Sequence, residues 1–508
     1  MATNGINASL IRLNGLSSGL DTEAIVTSLL KIDQYKVDKQ FKLAEKLEWK
    51  GDAYRSINLK LKAFQDAYVK AFSQSSTSMS SASAYNAYAV TMNTQTNAVS
   101  ITANSSASAG ALTISNITLA TAAQVSGTDL FEAEQNVTIN FTLKSAFGED
   151  IFEGGKIAFS INGKAFEFTE DTMISEMMNQ INSSDAGVTM SYSSLKRGFT
   201  ITSKTTGTAG TVNIVNTAGT AFAADAADAA FKIATGEKAG TNAKATIDGV
   251  QVERTSNTFT IDGITYTLKE NTEDGDVIKF SVSRDVDSVY DKIKGFIDAY
   301  NSLIAELQSK LDEEVYSEYG PLTDAEREEL SETQINKWEE KAKSGLLRDD
   351  NGIRTLLQDL RGTFYSAVEG TGMNAASLGL ETEAYGKTGK IVINETKLRT
   401  ALANNPDQVA SIFTKVSKAE DAGTKYKESG LVTRMSNIVS SYITNNTTIT
   451  LESNAKAVTD ANLRLDQLED WLAKNEEKYY ARFTAMETAL AKLNSQTSWI
   501  SSLLGSQS

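Results

Sequence analysis

Between Leu451 and Ile500 every seventh residue is apolar: Leu451, Val458, Leu465, Leu472, Tyr479, Met486, Leu493 and Ile500. Hydrophobic residues make up 41% of the 508-residue chain, so an unbroken column of this kind is far from chance. A seven-residue apolar period keeps one stripe of an α-helix turned toward a partner helix. It predicts a long helix from Leu451 to Leu504 with a coiled-coil seam. A second row, Phe483, Leu490 and Leu504, runs beside the first and is broken by Glu476 and Thr497. A core helix in a globular bundle is the alternative, but stripes this long without caps favour a coiled coil.

The other end of the chain offers a partner stripe. Asp21 predicts an N-cap, with Glu23 in the first turn suited to the helix dipole. Ile25, Leu29 and Ile32, then Leu43, Leu47, Tyr54, Ile57, Leu61, Phe64 and Tyr68, recur at helical steps. The serine-rich stretch from Ser73 to Ser83 reads as a linker or hinge. Apolar seams need partners, so residues 43–68 are expected beside 451–504. The expected seam residues are Leu29, Leu47, Ile57, Leu61, Leu465, Leu472, Tyr479, Phe483, Met486, Leu490 and Leu493. A lone helix pair buries little apolar surface, so it needs further neighbours.

Between the ends the periodicity changes. From about residue 85 to 285 the chain is rich in threonine, serine, alanine, asparagine and glycine. Ile157, Phe159 and Ile161 alternate up to Asn162–Gly163, and Phe166 and Phe168 follow. Asn-Gly between alternating runs predicts a hairpin with a type I′ turn. Asp248–Gly249 and Asp262–Gly263 predict two more. A short helix is expected from Thr172 to Asn182, and strands near Val188–Tyr192 and Phe199–Thr202. From Val289 a helical face returns in Val289, Ile293, Phe296, Tyr300, Leu303, Leu307 and Leu311. Thr323 and Glu326 read as a capping box. Asp349 or Asp350 caps a helix containing Ile353, Leu356, Leu360 and Phe364. Lys390–Ile393 reads as a strand, and Pro406 opens a helix at its first position.

The most informative counts are zeros: the chain has no histidine and no cysteine. The commonest general base near neutral pH is missing, and neither a serine–histidine nor a cysteine–histidine pair can be built. Zinc centres of the usual ligands and disulfides are likewise excluded. Glu313–Glu314, Glu339–Glu340 and Glu476–Glu477 fall in amphipathic helices and read as solvated faces. Asp349–Asp350–Asn351–Gly352 lacks the later ligands of a calcium loop and reads as a helix cap. No phosphate-cradling glycine loop occurs. No enzymatic activity, cofactor or metal is expected. A formal net charge of −15 makes nucleic acid and anionic membranes unexpected partners. No run of about 18 apolar residues predicts a membrane helix. No basic stretch followed by an apolar core predicts an ordinary secretory signal.

Several segments resemble one family. Residues 15–30, GLSSGLDTEAIVTSLL, are similar to the opening of bacterial flagellar filament cap proteins, also called hook-associated protein 2. Residues 295–304, GFIDAYNSLI, resemble the helix in which such chains return from their head domains. Leu378–Leu380, Gly389–Ile393 and Leu398–Phe413 resemble the family's C-terminal globular part, and RFTAMETALAKLNS (482–495) its terminal helix. The resemblance implies a ring-like homo-oligomer at the filament tip. It implies that the seam residues dock legs on the filament while exported flagellin folds and inserts beneath the head domains. Implied partners are flagellin, the hook-associated junction proteins and a cytosolic export chaperone at the C-terminal helix. The implied location is extracellular, reached through the flagellar type III apparatus.

The expected fold class is multidomain α+β. Residues 1–72 and 450–508 form a paired-helix leg, 73–110 and 285–449 a helical α+β domain, and 111–284 β-rich head modules. A flagellin-like filament subunit, a secreted adhesin and a carboxylate-based glycosidase are the competing readings.

Overall fold

A computed structural model describes residues 18–70, 75–131, 138–383 and 389–505. Residues 15–17 of the segment 15–30, and Ser73 and Gln74 of the serine-rich stretch, lie outside the described residues. The helices that matter here are α1 (Thr22–Phe64), α2 (Ile174–Ser183), α3 (Val286–Asp312), α4 (Asn351–Tyr365), α5 (Ala422–Glu428), α6 (Leu431–Ser441) and α7 (Thr448–Gly505). The chain divides into two compact units, Asn86–Val289 and the remainder.

The Asn86–Val289 unit is built from antiparallel sheets. One module pairs β1 (Tyr88–Met92), β3 (Gly110–Thr118), β11 (Ala243–Ile247), β12 (Val250–Arg254) and β15 (Val277–Arg284) in the order β1-β15-β3-β11-β12. A three-stranded sheet of β13 (Thr258–Ile261), β14 (Ile264–Leu268) and β2 (Val99–Ala103) completes it. Ile114, Tyr266 and Phe280 lie in its core. The other module has two sheets and α2. Its four-stranded sheet joins β5 (Lys156–Ile161), β6 (Lys164–Thr169), β9 (Thr211–Ala218) and β10 (Gly236–Ala239). Its three-stranded sheet joins β4 (Ala122–Ser126), β7 (Val188–Ser193) and β8 (Gly198–Thr206). Phe159, Phe199, Phe222 and Phe231 form its aromatic centre.

The three expected hairpins are present, and both turn residues of each have positive φ: 49° and 82° at Asn162–Gly163, 46° and 79° at Asp248–Gly249, 49° and 76° at Asp262–Gly263. That is the type I′ geometry whose twist matches the flanking strands. Residues 86–110, expected in the α+β domain, instead supply strands here: β1 pairs with β15 and β2 with β14. Strand partners nearly two hundred positions away are invisible to local sequence pattern.

Burial pushes the Tyr266 phenol up to about 12. Below its ordinary pKa of 10.0 the phenol is neutral in both folded and unfolded chains. Between these values only the unfolded chain ionises it, so stability is lost as pH rises. Raising the pH from about 9 to about 12 should lower the urea midpoint of this unit. Tyr266→Phe should reduce that loss; an equal loss in both proteins would exclude Tyr266 as its source.

In the other unit α3 is the spine. Its Ile293, Phe296, Tyr300 and Ile304 are buried. Phe296 packs with Phe64 at 6.0 Å and Phe413 at 6.3 Å, and Tyr300 with Phe364 at 4.9 Å. The caps form as expected: Asp21 accepts from Ala24 N–H and Asp350 from Ile353 N–H, both at 3.0 Å, and Thr323 and Glu326 make a capping box. From Ser75 to Ser83 the serine-rich stretch is bonded in rather than hinge-like. Met79 is fully buried, its N–H donates to the Tyr68 carbonyl, and the Thr77 and Ser80 hydroxyls donate to Ala67 and Lys70 carbonyls.

Arg434 of α6 is 1% exposed, and all five hydrogen bonds of its side chain go to backbone carbonyls. Nε donates to Tyr426, Nη1 to Thr363 and Ser366, and Nη2 to Ala367 and Lys427, at 2.7–3.3 Å. These carbonyls belong to the ends of α4 and α5, where helices leave acceptors unpaired and carry partial negative charge. Burial pushes the guanidinium pKa down from its ordinary value.

Candidate helix-pair docking site

Helices α1 and α7 pack side by side and run antiparallel. The Asn454 amide donates to the Leu47 carbonyl and the Gln40 amide to the Ala461 carbonyl, each at 2.9 Å. The Asn475 amide donates to Asp33 at 3.0 Å, and the Ser18 N–H to Glu487 at 3.3 Å. Residue numbers thus rise along one helix as they fall along the other.

On α1 the inward row steps by sevens through Val26, Asp33, Gln40, Leu47, Tyr54 and Leu61. A second inward row runs through Leu30, Val37, Ala44 and Gly51. On α7 the rows are Leu451, Val458, Leu465, Leu472, Tyr479 and Met486, with Asn454, Ala461, Leu468 and Asn475 beside them. The expected seam residues divide accordingly. Leu47, Leu465, Leu472, Tyr479 and Met486 are half-buried along it, as are Phe483 and Leu490 farther along α7. Ile57 and Leu61 are buried where α1 enters the core of its unit. Leu29, 37% exposed, and Leu493, 56% exposed, lie outside it. The more apolar stripe of early α1 is not the inward one: Ile32 and Leu43 also face solvent.

Polar residues occupy the seam that the apolar pattern hid. Asp33 is 7% exposed; besides Asn475 it accepts from Lys36 at 3.2 Å and lies 3.5 Å from the Tyr479 hydroxyl. Lys36 in turn sits 4.4 Å over the Trp471 ring. A Cβ at Gly51 would lie 2.8 Å from Asn454 Nδ2, so glycine is what admits this amide to the Leu47 carbonyl. Polar seam groups find their partners in one alignment only, which fixes register at some cost in stability. Stepping backward by sevens from Leu47 reaches Gln40, Asp33 and Val26, the signal that could have found this row. At the base of the pair the Tyr54 hydroxyl donates to Asp350 at 2.6 Å, and Lys42 meets Glu326 at 2.6 Å.

Beyond Glu487 the helix changes character. Leu490 is half-buried, and residues 491–502 are all exposed, including Leu493, Trp499 (66%) and Ile500 (50%). The side chain of Leu504 lies outside the described atoms. Among the described residues no group of acidic side chains is placed to hold a metal ion, and no helix is long and apolar enough to cross a membrane. Asp350 serves as the α4 cap and Asp349 pairs with Arg354 at 2.8 Å.

Two family models match the chain. The flagellar hook-associated protein 2 C-terminus covers residues 240–495, and the flagellar hook-associated protein 2 N-terminus covers 18–123. The flagellar hook-associated protein 2 of Halalkalibacterium halodurans is 29% identical over 96% of this chain and 98% of its own length. That of Salmonella typhimurium is 27% identical over 51% of this chain and 50% of its own. The crystal structure of the flagellar cap protein FliD D1-D2-D3 domains from Escherichia coli shares the fold. Its TM-score is 0.55 at 20% identity, over 79% of this chain and 99% of that one. Helical ends, β-rich middle and sequence therefore agree: the chain belongs to the flagellar hook-associated protein 2 family.

Proposed function

We propose that this chain is a structural capping protein at the distal end of the bacterial flagellar filament, where it promotes folding and insertion of exported flagellin. The observation that carries this reading is the far end of α7. The apolar period of the helix pair continues through exposed Leu493 and Ile500, with exposed Trp499 beside it. An apolar helix end in water is poised to bury against another helix, and a filament of helical subunits supplies one. Leu29, exposed on α1, would join it in docking. The remaining seam residues would keep the helix pair in shape.

In this reading the protein works by geometry rather than chemistry, as a ring-like homo-oligomer touching flagellin and, before growth begins, the hook-associated junction proteins. Export through the flagellar type III apparatus places it outside the cell. A cytosolic chaperone would cover the Leu493–Ile500 face until then, because an exposed apolar helix end invites aggregation.

A strain lacking the chain should grow no full-length filaments and release unpolymerised flagellin into the medium. Restoring a version cut after residue 490 should not rescue growth. Filaments of normal length in the deletion strain would remove the case for a cap.

A further inference from the structure

Charge is sorted across the α1–α7 pair. On α1 the positions just before the Leu30–Val37–Ala44–Gly51 row define one flank, and the matching positions on α7 precede Leu465, Leu472 and Tyr479. Lys36 on Trp471 shows that these flanks share one side of the pair, as antiparallel packing requires. That side carries Lys39, Lys46 and Lys50 of α1 with Arg464 and Lys478 of α7, around exposed Leu29, Ile32 and Leu43. Between residues 29–52 and 452–478 its one acid is Asp460. The opposite flank carries Asp38, Glu45 and Glu48 of α1 with Asp466, Glu469 and Glu476 of α7, and its one base is Lys31.

We infer that the basic, leucine-bearing flank of one copy docks on the acidic flank of the helix pair in the next copy. A surface of one sign on one side and the opposite sign on the other matches itself head to tail rather than as a two-fold dimer, and a head-to-tail contact gives a ring where the rotation between copies closes. A second copy is the favoured occupant because the complementary face is present on this chain. The net charge of −15 makes a compact basic face stand out. The inference rests on the ring-like homo-oligomer proposed above and adds the surface and polarity of contact. Opposed charges would set direction and register, and Ile32 and Leu43 would supply apolar contact.

The test uses the full chain and exposed positions outside the seam. Lys39→Glu with Lys46→Glu cancels most of the positive charge of the basic flank; Asp466→Lys with Glu469→Lys cancels most of the negative charge of the acidic one. At low salt each variant should self-associate at least tenfold more weakly than wild type by sedimentation, at unchanged circular dichroism. Mixing the two, or combining all four changes in one chain, should restore association. Raising salt from about 50 to about 500 mM should weaken the wild type. If wild type forms rings and both variants form them equally well, this contact is overturned and the ring reading stands. If wild type stays monomeric, the ring reading falls with it. Variants that form normal rings but fail to cap filaments would also overturn the inference and assign the flank to a filament helix.

Discussion

Arg434→Met should destabilise the α-helical unit by about 3–5 kcal/mol, a large share of the roughly 5–15 kcal/mol that holds a typical domain together. The side chain is 1% exposed, and its fork holds carbonyls from the ends of two helices. Methionine fills much of the volume but donates nothing, leaving buried acceptors unpaired at about 1–3 kcal/mol each before relaxation. Arg434→Lys should lose most of the same stability, because one ammonium cannot span five carbonyls set around a planar guanidinium. Urea unfolding should show the shift, together with loss of amide-exchange protection at Leu356 and Leu360. The β-rich unit should keep its protection. A shift below about 1 kcal/mol for Arg434→Met would mean that water replaces the guanidinium at no cost.

Leu472→Asp with Leu490→Asp should abolish filament growth while the β-rich unit still folds. Leu472 is half-buried on the central row of the α1–α7 seam and Leu490 is half-buried near its far end. A carboxylate at such a site costs several kcal/mol unless the helices part to let water in. Parting the pair would remove the docking element, so flagellin should collect in the medium as in the deletion strain. Leu472→Met with Leu490→Met keeps the apolar volume and should support growth. Normal filament length in the double aspartate variant would show that docking does not need this seam.

What sequence pattern reveals depends on whether the constraint is local. The I′ turns at Asn162–Gly163, Asp248–Gly249 and Asp262–Gly263 are legible because few residue pairs tolerate two positive φ values in succession. Asp21, Asp350 and the Thr323–Glu326 box are legible because capping is settled within four residues. The α7 column is legible because Leu451 to Met486 never breaks. The partner row on α1 is not, since Asp33 and Gln40 interrupt it while Leu29, Ile32 and Leu43 advertise a different face. The start of the β-rich unit at Asn86 is hidden because β1 finds its partner only at Val277–Arg284. Arg434 is hidden because its partners are carbonyls, which every residue has.

The helix pair also sets an order in time. Gln40 reaches Ala461 across 421 positions, and Ser18 reaches Glu487 across 469. Contacts of such separation are among the slowest to form, because the ends of a long loop must meet before anything rewards the meeting. The hairpins of the β-rich unit join residues a few positions apart and need not wait. α1 precedes α7 in the chain, and its inward residues Val26, Val37 and Leu47 stay uncovered until α7 is made. Closure of the pair is therefore a late step in the folding of each molecule. A copy that stalls short of its C-terminus can fold its sheets and still never close.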